Sequence, residues 1–121
     1  MRIATWNVNS LNARIERVDE WLDYASPDVL LLQETKMAQD QFPHSHYSQR
    51  GYESVHAGEG RWNGVAILSK VGIEDSFVGF ADGGEEDPEA RIISATCEGV
   101  RVSSVYVPNG REVDHDHYHY K

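Results

Sequence analysis

In the stretch Pro27-Asp28-Val29-Leu30-Leu31-Leu32-Gln33-Glu34-Thr35-Lys36, four apolar residues in a row are followed, two residues on, by a carboxylate. A run of that kind reads as a strand buried on both faces, with Glu34 standing at its exit. A carboxylate near a core is costly unless a cation or a hydrogen-bond donor meets it. In open α/β sheets the carboxyl ends of strands are where ligands bind. Asn7 closes the other early strand candidate, Arg2 to Val8. An amide and a carboxylate at neighbouring strand ends suit Mg²⁺, a hard ion that takes oxygen ligands and keeps several waters for a substrate phosphate. The plainer readings are that Glu34 pairs with Lys36 and that Asn7 caps the following helix.

The elements that would bring these two residues together are legible. Asn9-Ser10 offers a helix N-cap. Leu11, Ile15, Val18, Leu22 and Ala25 then recur at helical spacing, with Glu16, Arg17, Asp19, Glu20 and Asp23 on the opposite side. Ser26-Pro27-Asp28 ends the helix and leads into the apolar strand. Strand, helix and strand with short links form a βαβ unit, which predicts parallel neighbours whose exits lie side by side.

Further along, Gln39 to Arg50 reads as a polar loop with one helical turn. Gly51 to His56 and Gly64 to Ser69 read as strands joined by a glycine-rich turn. Ile73 to Phe80 is a further strand candidate, and Asp82 to Glu89 is an acidic loop. Arg91 to Thr96 and Val100 to Val107 alternate in hydropathy, with Glu98-Gly99 as a hairpin turn. The result is a mixed, layered α/β arrangement without a repeat, a linker or a second domain.

Composition narrows the class. The chain has 121 residues, one cysteine (Cys97) and a net charge of −9 from 20 acidic and 11 basic residues. A lone cysteine makes no internal disulfide, which points to a reducing compartment, and the absence of a leader pattern or a long apolar run points to a cytoplasmic protein away from membranes. The negative charge opposes non-specific nucleic-acid binding but is compatible with a divalent ion that brings a phosphate with it. Cys97 lies in a strand pattern and reads as a small core residue. His115, His117 and His119 in the tail would share a face only on a strand, and no second cluster completes a zinc geometry. Arg91 reads first as a partner for Glu86, Asp87 or Glu89. Tyr106, Asn109 and the Pro-Asn-Gly turn read first as a strand end.

Taken in order, TWNVNSLNAR, PDVLLLQETK, RWNGVAIL, ARIISA and VYVPNG resemble the bacterial exodeoxyribonuclease III type of apurinic/apyrimidinic endonuclease, within the endonuclease/exonuclease/phosphatase superfamily. The resemblance implies a two-sheet α/β sandwich with a metal site at one end of the sheets. It makes Glu34 a Mg²⁺ ligand (Mn²⁺ as a substitute) and Asn7 its neighbour in the metal shell. Asn9 then sits behind them, Lys36 orients Glu34 or flanks the substrate, and Tyr106 approaches the scissile phosphate. Arg91 meets a backbone phosphate and Asn109 reaches toward the DNA strand. The implied partner is double-stranded DNA with abasic sites or 3′ ends, acted on by a protein that is monomeric when complete.

Family members continue well beyond the YVPNG turn, into an Asp-x-Asn pair, a further aspartate and an Asp-His pair that activates water. Residues 1–121 therefore resemble the amino-terminal part of a single domain, a fragment expected to be inactive alone and to expose the inner face of its sheet. Two other readings remain open at this stage: a phosphatase or phosphodiesterase of the same superfamily acting on non-DNA phosphoesters, and a non-catalytic truncated domain.

Overall fold

The computed structural model describes residues 1–60, 62–79 and 91–107. Within them β1 (Ile3–Asn7), α1 (Leu11–Ala25) and β2 (Val29–Gln33) form the expected βαβ unit. β1 and β2 are parallel, with Ile3 opposite Val29 and Asn7 opposite Gln33. α1 begins where the sequence places its cap: the Ser10 hydroxyl accepts a hydrogen bond from the Ala13 N–H at 3.3 Å. It ends at Ser26, whose left-handed conformation lets its N–H bond to the Leu22 carbonyl. Leu11, Val18 and Leu22 are buried along the helix, while Ile15 and Ala25 are only half-buried at the sides of the stripe.

The next segment departs from the loop that its polarity predicts. A 3₁₀ turn at Gln39–Gln41 and one helical turn, α2 (His44–Ser48), carry Phe42 and Tyr47 into the core. Two aromatics among nine polar residues and a proline give no periodic signal, so the burial is visible only in three dimensions. β3 (Glu53–Ala57) and β4 (Val65–Ser69) then pair antiparallel, and β4 lies against β2, giving the sheet order β1-β2-β4-β3. β5 (Glu74–Val78), β6 (Ile92–Cys97) and β7 (Val100–Val105) form a second, antiparallel sheet. Glu98 and Gly99 join β6 to β7 with φ of 52° and 80°, the two positive values that a type I′ hairpin requires.

Three layers result. On one face of the first sheet, Leu30, Leu32, Ala66 and Leu68 pack against Val18 and Leu22 of α1 and against Phe42, Tyr47 and Tyr52. On its other face, Val29, Val65 and Ile67 pack against Ile93, Ala95, Cys97 and Val102 of the second sheet. The inner face expected to be bare is therefore largely covered by strands of this same chain. On that face Ile3 of the edge strand β1 stays 44% exposed, while the exposed Val105 and Val107 near the end of β7 alternate with inward-facing Ser104 and Tyr106 and so point away from it. Cys97 is fully buried, as its strand context predicts.

Leu30 is fully buried between β1, β4 and α1, so its truncation leaves a void that the sheet cannot collapse to fill. Leu30→Ala should lower unfolding stability by about 2–5 kcal/mol. Urea denaturation checks it, with a fall in the midpoint and an unchanged slope as the expected outcome.

Candidate active site

The exits of β1 and β2 are tied together by backbone. The Val8 N–H donates to the Gln33 carbonyl at 3.0 Å, the Ser10 N–H to the Glu34 carbonyl at 2.7 Å, and the Leu11 N–H to the Thr35 carbonyl at 3.0 Å. The first N–H groups of a helix have no partner within the helix; here the turn after β2 supplies one. The same turn is bound from the other side, with the Thr35 N–H donating to the Gly64 carbonyl at 3.2 Å and the Lys36 N–H to the Asn63 carbonyl at 2.9 Å.

This packing is bought with backbone strain. Asn9, Ser10, Glu34, Lys36 and Asn63 all hold positive φ, at 48°, 89°, 57°, 55° and 57°. Such conformations cost of order 1–3 kcal/mol each for residues with a side chain and concentrate at functional sites. Gly64 has φ of 100°, and a Cβ there would collide with the Thr35 hydroxyl, so glycine is required for the close approach.

On this knot stand four polar side chains. The Asn7 Oδ1 accepts from the Asn9 N–H at 3.1 Å, so the turn role of Asn7 is present. An amide oxygen has a second lone pair, which leaves Asn7 able to face a cation as well. The Lys36 ammonium donates to Asn9 Oδ1 at 2.7 Å and lies 3.9 Å from Glu34 Oε2. The Glu34 side chain is 21% exposed, held at the edge of solvent. Asn7, Asn9, Glu34 and Lys36 thus come together at adjacent strand ends.

The second sheet brings its own end to the same place. Gln33 is buried between the sheets, donating from Nε2 to Thr5 Oγ1 at 2.8 Å and to Ser104 Oγ at 3.1 Å. Ser104 in turn donates to the Leu32 carbonyl at 2.7 Å. β7 therefore reaches the exit of β2, and Tyr106, just past β7, is half-buried against the inter-sheet core. Its N–H donates to the Arg91 carbonyl at 2.7 Å, which sets Arg91 and Tyr106 side by side at that end. Asn109, the acidic residues Glu86, Asp87 and Glu89, and the tail histidines lie outside the described residues.

Several residues escape a sequence reading. Gln33 carries a signal, a polar residue closing a buried apolar strand. His56 carries none. It is buried in β3, its Nε2 lies 2.9 Å from Thr35 Oγ1, and its ring stacks on Phe42 at 4.7 Å between centroids. Burial pushes the His56 pKa down to about 4, with a smaller contribution from His44 and partial opposition from the backbone bond to Gln39.

The donors available to a cation here are a carboxylate and amide oxygens. They fit a hard ion that retains waters rather than a fully caged zinc. Among the described residues, no three carboxylate, imidazole or thiolate side chains converge into a complete metal cage.

The family model for the endonuclease/exonuclease/phosphatase family matches residues 4–121. The chain belongs to that family. Exodeoxyribonuclease III of Haemophilus influenzae is 32% identical over 96% of this chain and 45% of its own length. A 3′ phosphatase from Neisseria, solved bound to a product DNA hairpin, is 44% identical with a TM-score of 0.85, over 91% of this chain and 42% of its own. An AP endonuclease from Archaeoglobus fulgidus is 38% identical with a TM-score of 0.86, over 99% of this chain and 46% of its own. The chain thus spans less than half the length of these relatives. Their similarity extends to the two-sheet fold, and the family is one of metal-dependent enzymes. No helix among the described residues is long and apolar enough to cross a membrane.

The low His56 pKa makes stability depend on pH. An unfolded histidine takes up its proton near pH 6.5, whereas the folded one resists until about 4. The unfolded state therefore binds more protons between these values. The contribution is complete above pH 6.5 and is lost as pH falls toward 4, by about 3 kcal/mol in all. Urea unfolding between pH 7 and pH 4 should show a steeper loss in the natural protein than in His56→Gln, in which that position no longer titrates.

Proposed function

We propose that the protein of which this chain forms part is a Mg²⁺-dependent DNA repair nuclease of the exodeoxyribonuclease III type. Its substrates on this reading are abasic sites in duplex DNA and 3′ termini, blocked or free. One observation carries the proposal. Glu34 stands at the strand exit with Asn7 beside it, on a strained turn that fixes its backbone from both sides. The names of the relatives support a DNA substrate, since they include an exodeoxyribonuclease, an AP endonuclease and a 3′ phosphatase bound to a DNA hairpin.

Glu34 and Asn7 would hold the ion, with Mn²⁺ able to replace Mg²⁺. When bound, the ion supplies Lewis-acid polarisation of a phosphoryl oxygen and steadies charge on the leaving 3′-oxygen. Lys36 keeps Asn9 in place and balances the Glu34 charge when no cation is bound. Tyr106 offers a phenol to the non-bridging oxygens of the scissile phosphate, where charge grows in the transition state. Arg91 gives a guanidinium suited to a backbone phosphate, and Asn109 reaches toward the strand. These cations beside a bound divalent ion offset the overall acidity of the chain. The base that activates water is supplied from outside these 121 residues, and 1–121 act as one part of a single domain. By themselves they bind the ion weakly and do not turn over.

The test uses the natural full-length protein. Abasic duplex, a duplex with a 3′-phosphate and a phospholipid headgroup ester are offered in parallel. Cleavage of the two DNAs with Mg²⁺, and none of the lipid ester, is expected. Glu34→Gln should retain its melting temperature and lose about 10²-fold or more in kcat/KM. Preference for the non-DNA ester would move the protein to another branch of the family.

A further inference from the structure

We propose that His56 is a positioning residue for Glu34: through Thr35 it fixes the left-handed turn on which the carboxylate and Lys36 stand. The inference deepens the metal-site reading above and rests on it for its functional meaning.

Thr35 is the hinge pin of the turn. It is fully buried between two residues at φ of 57° and 55°, so its placement sets where Glu34 and Lys36 point. Backbone bonds hold its N–H and its carbonyl, and its hydroxyl meets His56 Nε2 at 2.9 Å. On the far side the hydroxyl is confined by Gly64, where any Cβ would collide with it. The imidazole is itself fixed. It stacks on Phe42 with an interplanar angle of 23°, and the His56 carbonyl accepts a hydrogen bond from Gln39 Nε2 at 2.6 Å. Gln39 Oε1 also accepts from the Gly58 N–H at 2.8 Å, and a Cβ at Gly58 would strike the His56 ring.

Stability alone does not account for a histidine here. Its Nδ1 is buried and makes no well-formed hydrogen bond, the Gln39 backbone offsetting only part of the cost of burying the ring. A buried polar atom left unpaired is a cost that a phenylalanine of similar shape would avoid. What the imidazole adds over an apolar ring is its bond to Thr35. Partners behind metal ligands commonly change metal affinity by 10–100-fold when removed.

The experiment uses the natural full-length protein and the variants His56→Phe, Thr35→Val, the double variant and His56→Gln. Mn²⁺ binding is followed by electron paramagnetic resonance, and the amide signals of Glu34 and Lys36 by NMR without metal. Phenylalanine keeps the ring stack, and the double variant replaces the bonded pair with an apolar one, so that folding is preserved while the bond is lost. Each of the three should shift the two amides and weaken Mn²⁺ binding about tenfold, even where the melting temperature matches the natural protein. His56→Gln, whose amide can reach Thr35, should restore affinity to within about threefold. Unmoved amides with Mn²⁺ affinity within twofold of the natural protein in a folded double variant would overturn the proposal. Undiminished Mn²⁺ binding in Glu34→Gln would instead sink the metal-site reading, while shifted amides would still show His56 placing the turn.

Discussion

Residues 34–36 are where this fold is tied. Their backbone groups accept the first N–H bonds of α1 and donate to the chain entering β4, so the exits of β1 and β2 and the approach to β4 are one hydrogen-bonded unit. Loosening that turn would take acceptors from the first N–H groups of α1 and free the exits of β1 and β2 from the approach to β4. The strain of so many left-handed residues persists because the neighbours leave the chain no alternative path. It also means that a side chain at position 34 is delivered with little freedom, which is what a group gripping a small ion requires.

The two sheets matter for the same reason. Buried Gln33 and Ser104 bond across the interface, and through them the end of β7 is registered against the exit of β2. Apolar packing of Val29, Val65 and Ile67 on Ile93, Ala95 and Val102 could slide by a residue at modest cost. A buried polar bridge cannot slide without leaving donors unpaired. Arg91 and Tyr106 thereby come to the end of the molecule that carries Glu34, although more than fifty residues separate them in sequence.

Much of this was legible in the residues. The apolar run Val29 to Leu32, the helical stripe from Leu11 to Leu22 and the Glu98-Gly99 turn each state their structure locally, and the parallel βαβ unit follows from them. Asn7 and Glu34 could be paired because parallel strands put their exits together. Phe42 and Tyr47 could not be read as core, since their burial depends on a short turn folding over a sheet formed by distant strands. The covering of the inner face was hidden too, because alternation in β6 and β7 shows that one side is buried but not against what. His56 was invisible for a similar reason: its partner lies 21 residues away, on a turn whose conformation no propensity predicts.

The central claim is that the ion sits at the exits of β1 and β2. Titrating the natural full-length protein with Mn²⁺ and following paramagnetic broadening of its backbone amides locates the ion directly. Broadening centred on residues 7–9 and 34–36, extending to Tyr106, is the predicted result. Broadening centred on the exposed acidic face of α1, around Glu16 and Glu20, with the 34–36 amides left sharp, would contradict it.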